Sequence, residues 1–98
     1  MNTVELLRAS ISMRPTAHGG RERAVDLRGK YRPHLQVGEG PLLGVQISSD
    51  AAHEVRPGNS AVVTLLRLYE VDYSSLHVGV KFAILEGERE VGTGVVIE

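Results

Sequence analysis

Four stretches of this chain place apolar and polar side chains on alternate residues, and a period of two marks a strand with one buried face. In Arg8-Ala9-Ser10-Ile11-Ser12-Met13-Arg14 the alternation runs until Pro15, which lacks the amide donor that a ladder needs. Leu43, Val45 and Ile47 share one parity, while Gly44, Gln46 and Ser48 take the other. From His77 to Leu85 the pattern is cleanest, with Val78, Val80, Phe82 and Ile84 expected inward and Lys81 outward. From Arg89 to Glu98, Val91, Val95 and Ile97 share a parity, and Gly92 and Gly94 share the opposite one.

Two further strands are expected. Tyr31 to Val37 is one, with Pro33 confined to an edge or a strand start. Ser60 to Tyr69 is the other: Val63 and Leu65 share a face, but Arg67 falls on it too, so a bulge near Leu66 or burial on both faces is expected. Gly38-Glu39-Gly40-Pro41, Val55-Arg56-Pro57-Gly58-Asn59 and Glu86-Gly87-Glu88 are turn chemistry. Thr16 to Lys30, with Gly19-Gly20, three arginines and a lysine, reads as a long polar loop and the most mobile segment. Asn2 to Leu7 fits either a short helical turn or an extension of the first strand. Six strands and no sustained 3.6-residue period predict an all-β antiparallel sandwich or small closed barrel.

At 98 residues only one core fits, so a single domain over residues 1–98 is expected. With 42% apolar and 23% charged residues the chain has the balance of a folded domain. The absence of cysteine excludes disulfides and thiolate metal sites. The longest nearly apolar stretch, Ala61 to Leu68, is broken by Thr64 and Arg67 and falls short of the ~20 residues that span a bilayer. No signal-peptide pattern is present, so the cytoplasm is the expected compartment and no membrane contact is foreseen.

The net charge of −1 conceals an asymmetry. Residues 1–34 hold seven Lys/Arg against three acids, or +4, whereas the remainder holds four against nine, or −5. A basic segment suits a nucleic-acid or acidic partner, although charged loops are more often plain solvated surface. His18, His34, His53 and His77 lie far apart in sequence, and no Gly-x-Ser-x-Gly elbow or comparable nucleophile arrangement occurs. Neither an enzyme nor a bound metal or cofactor is expected. No Gly-x-x-x-x-Gly-Lys-Ser/Thr loop is present, so GTP binding by these residues is not expected.

The stretch Val80-Lys81-Phe82-Ala83-Ile84-Leu85-Glu86-Gly87-Glu88-Arg89-Glu90-Val91-Gly92-Thr93-Gly94-Val95-Val96 resembles the closing hairpin of elongation factor Tu. There the family reads Arg-Phe-Ala-Ile-Arg-Glu-Gly-Gly-Arg-Thr-Val-Gly-Ala-Gly-Val-Val. Three further markers follow in family order: Gly19-Gly20-Arg21, Tyr31-Arg32-Pro33 and Val55-x-Pro57-Gly58. Together they cover nearly the whole chain, which resembles the third, C-terminal domain of that factor. The resemblance implies a six-stranded antiparallel Greek-key barrel. It also implies the roles of that domain: packing on a GTPase domain, contact with the T-stem of aminoacyl-tRNA, and contact with the exchange factor.

By resemblance the tRNA-facing positions fall on Arg32, His34, Leu85, Glu86 and Gly87, of which Arg32 has strand bracing as its alternative role. His34 replaces the usual Gln and Leu85 the usual Arg, which removes a charge that phosphate would use. Gly38-Glu39-Gly40-Pro41 replaces a Thr-rich segment and adds an acid. Leu68 to His77 is longer than its family counterpart, and Arg21 to Lys30 carries about two extra residues; loops are where altered partners register. The expectation is a noncatalytic, free-standing binding module that engages a protein, a translation-type GTPase among the candidates. Its start at Met1 favours a natural short chain over an excised domain. The alternative is a tRNA- or RNA-binding protein that uses Arg21, Arg23, Arg28, Lys30 and Arg32 of the basic segment. Gly92 and Gly94 admit either a close partner or packing within the barrel, while Val91 and Val95 are expected in the core.

Overall fold

A computed structural model of the chain describes residues 6–98. Of the segment for which a helical turn or a strand extension was open, Leu6 and Leu7 open the first strand and residues 2–5 lie outside the described residues. The strands are β1 (Leu6–Met13), β2 (Val25–Asp26), β3 (His34–Gln36), β4 (Leu43–Ser48), β5 (Glu54–Val55), β6 (Ser60–Arg67), β7 (Lys81–Glu86) and β8 (Arg89–Val96). Six of them close an antiparallel barrel in the order β1-β6-β4-β3-β7-β8, and β2 and β5 form a separate two-stranded sheet. β1 lies beside β6, far along the chain, and the long connection from β1 to β3 passes over the barrel's end, which is Greek-key connectivity.

Alternation dictates which side chains fill the interior. Ala9, Ile11 and Met13 enter from β1, Leu43, Val45 and Ile47 from β4, Val63 and Leu65 from β6, and Phe82 and Ile84 from β7. Among the described residues no buried residue is polar or charged. Burial of each large aliphatic or aromatic side chain contributes about 1.5–3 kcal/mol, so this continuous set is the main source of stability.

The structure departs from the sequence-based expectation in four places. Val78 sits in a turn and is 63% exposed, because β7 begins only at Lys81 after the Val80 amide bonds the His77 carbonyl. In β8, Ile84 pairs with Gly92 but Leu85 pairs with Glu90, so Val91 is an extra residue and the strand changes parity there. Val91 stays buried, and beyond the bulge Gly92, Gly94 and Val96 turn inward in place of Val95 and Ile97. Gly94 then faces Phe82 across the ladder, and a Cβ there would stand 2.5 Å from the ring's Cζ. β6 needs no bulge near Leu66: its register is continuous on both sides, and Arg67 keeps the inward parity at the barrel's mouth with its guanidinium 5.6 Å from the Tyr73 ring centroid.

The segment from Thr16 to Lys30 is the fourth. It holds a single 3₁₀ turn (Thr16–His18) and β2, and it buries Val25 and Leu27 in the core. The sequence hid this because only two apolar side chains are involved. Val25 pairs with Val55 of β5, while the Leu27 amide and carbonyl bond His53 and Ser49.

Candidate functional site

The barrel has two dissimilar ends. At one, the connection after β1, the β4–β6 connection and the β7–β8 hairpin meet, and most of the residues singled out from sequence stand here. Tyr31 bridges Ile47 and packs on the core, so its hydroxyl reaches Glu86 and donates to Oε2 at 2.5 Å. Arg21 donates to the same carboxylate oxygen and lies over the Tyr31 ring, its Cζ 5.3 Å from the centroid. Burial, reinforced by the bond to Glu86, pushes the Tyr31 phenol well above its ordinary value. Burial works most strongly against the charge on Arg21, but its hydrogen bond to Glu86 and the attraction of Glu86 and Tyr31 together outweigh it and raise the pKa.

The charged residues of the hairpin fasten the segment after β1. Arg89 donates to the carbonyls of Gly19 and Gly20, Arg14 pairs with Glu90 at 2.5 Å, and the Thr16 hydroxyl donates to the Arg21 carbonyl at 2.5 Å. Gly20 is buried with its amide on the Pro15 carbonyl, and a Cβ there would fall on the Arg14 carbonyl oxygen. The basic loop is therefore clasped to the closing hairpin. Arg28 is committed as well. Asp26 and Glu54 face each other across the β2–β5 pair, an unfavourable like-charge juxtaposition, and Arg28 and Arg56 pair with them at 3.0 and 3.3 Å. The Arg28 side chain and amide hold Asp26 below the usual carboxylate range. Arg32 donates to Gln46 Oε1 at 3.3 Å, Arg23 and Lys30 face solvent, and Gly87 forms the hairpin tip at φ 65°.

The structure brings Arg21, Arg23, Glu86 and Arg89 around one polar depression of about 260 Å³, with Glu22 beside them. His34 stands apart, on the outer wall between Leu85 of β7 and Gly44 of β4. A surface depression of about 550 Å³ lies on the outer wall over β1, β8 and β7, where Ser10, Ser12, Ala83 and Thr93 leave little side-chain height.

The other end carries what the sequence reading missed. Seven large apolar side chains are exposed among the described residues, and Leu6, Leu42, Tyr69, Val71, Val78 and Ile97 all belong to this end; only Val62 lies on the wall. The signal was present in sequence as Tyr-Glu-Val-Asp at 69–72, but a loop and a half-buried strand look alike in so short an alternation. Tyr73 orders the loop: its buried hydroxyl donates to the Gly44 carbonyl at 2.6 Å and accepts the Tyr69 amide at 3.2 Å. The Tyr69 ring consequently lies on Gly44, where any Cβ would meet it. Leu42 is two residues earlier with the same outward parity as Gly44, and His34 and Leu85 extend the row along the wall. A cleft of about 420 Å³ opens beside it, lined by Leu7, Arg67, Val71, Asp72, Tyr73 and His77.

Among the described residues no three His, Asp or Glu side chains stand close enough to hold a metal ion, and no helix is long and apolar enough to cross a membrane. No protein-family model matches the chain.

Proposed function

We propose that the chain is a noncatalytic binding module of the kind that forms the third domain of elongation factor Tu, and that it engages a protein partner in the cytoplasm. The observation that carries the reading is the gathering of Leu6, Leu42, Tyr69, Val71, Val78 and Ile97 at one end of the barrel. Scattered exposed apolar residues are ordinary, but a set of this size at one end of a barrel suits a surface that another protein covers. A translation-type GTPase is the partner class that the resemblance implies.

Less supports the RNA reading of the basic segment. Arg21 and Arg28 are held in ion pairs, Arg32 rests on Gln46, and Leu85 beside His34 offers phosphate no charge. Labelled tRNA titrated by fluorescence anisotropy at low and moderate salt separates the two readings. The protein reading expects little binding at low salt and no change with Arg23→Ala/Lys30→Ala. Tight binding that weakens steeply with salt and is lost in that variant would replace it with the RNA reading.

A further inference from the structure

We infer that the corner formed by the β3–β4 turn and the β6–β7 loop receives a protein segment in which apolar side chains are interspersed with lysine or arginine; this rests on the protein-binding reading above. Residues 37–45 and 68–76 contain Glu39, Glu70 and Asp72 and neither lysine nor arginine. All three acids are exposed, and so are Leu42, Tyr69 and Val71. Along Tyr69-Glu70-Val71-Asp72 an apolar side chain and a carboxylate alternate, so an occupant that buries the first must also answer the second. Arg67 borders the corner but lies over the Tyr73 ring.

The corner is built before any partner arrives. The Tyr73 hydroxyl bonds join the loop to β4, and Gly40 closes its turn on the Val37 carbonyl while accepting from the Gln36 side chain. Ser74 fixes Asp72, its side chain and amide holding the carboxyl below the usual range and therefore charged. An ordered surface loses little conformational freedom on binding.

The charge also selects among occupants. A second copy docked across a two-fold axis would set these carboxylates against their own images in a drying interface. RNA would meet the same repulsion from its phosphates. A cationic, apolar protein segment satisfies both halves of the pattern.

The test places photoreactive benzoylphenylalanine at Val71 and, separately, at Arg23 of the full chain in its source cells, and sequences the cross-linked peptides. The identified partner is then purified and titrated by calorimetry against the wild type and against Glu39→Lys/Glu70→Lys, whose exposed sites keep the fold intact by circular dichroism. Supporting results are a protein adduct at position 71, a cross-linked segment rich in apolar residues and Lys/Arg, and at least tenfold weaker binding by the charge-reversed variant. An adduct to a second copy of this chain, a segment without cations, or unchanged affinity on charge reversal overturns the partner chemistry and leaves the binding-module reading standing. No adduct at position 71 overturns the docking corner, and RNA captured at position 23 instead overturns both readings.

Discussion

Tyr31 and Arg21 share one carboxylate oxygen of Glu86, which ties the Tyr31 phenol to the fold's response to alkali. The folded protein holds the Tyr31 proton more tightly than the unfolded chain does, because its pKa is raised above the ordinary 10.0. That contribution is complete below pH 10 and is lost as the pH rises through the raised value. Urea midpoints should therefore fall above pH 10, and Tyr31→Phe should flatten this part of the decline. Glu86→Gln weakens both bonds and should cost about 1.5–3 kcal/mol at neutral pH, the range for hydrogen bonds to a charged group. At the acid side the sign reverses. Asp26 is held below its ordinary 3.8, so its contribution is present above that pH and is lost as the pH falls through the lowered value. Arg28→Ala should return the Asp26 carboxyl to its ordinary titration, which carbon-detected NMR would record.

At the scale of the element, the extra residue in β8 decides which side chains count. Val96→Ala should lower stability by about 2 kcal/mol, whereas Ile97→Ala should change it by no more than about 0.5. Thermal or urea denaturation of the two variants reads the difference directly, and equal effects would mean that the parity never switches. The strands were legible in sequence wherever one wall alternated without interruption, as in β1, β4 and the body of β7. Their number and their turns left a sandwich or a small closed barrel, and the resemblance implied the six-stranded barrel that is found. The bulge at Val91 was not legible, since a strand with valines at 91, 95 and 96 reads equally well in either parity and only the Gly94–Phe82 contact chooses. Nor was the fastening of the segment after β1, because Arg89, Glu86 and Glu90 announce charge but not direction. Of the site, the basic cluster was visible as composition. The apolar corner was not, because Leu42 and Tyr69 meet only after β4 and β6 pair.

For the whole molecule, the dissimilar ends make separable predictions. Tyr69→Ser/Val71→Ser should leave the melting temperature within a few degrees, since both side chains are exposed, while reducing recovery of the partner in affinity purification from native cells. Gly20→Ala, at the opposite end, should cost about 1–3 kcal/mol through overpacking and leave partner recovery by the folded fraction intact. The pairing of β1 with β8 has a further consequence for the cell. β1 precedes the other strands of the barrel in the chain and β8 follows them, so one edge of β1 and one of β7 have no neighbour until β8 pairs. Until that strand docks, the folding chain carries two adhesive borders that only Arg89–Val96 can seal, which makes truncation within these residues an aggregation hazard.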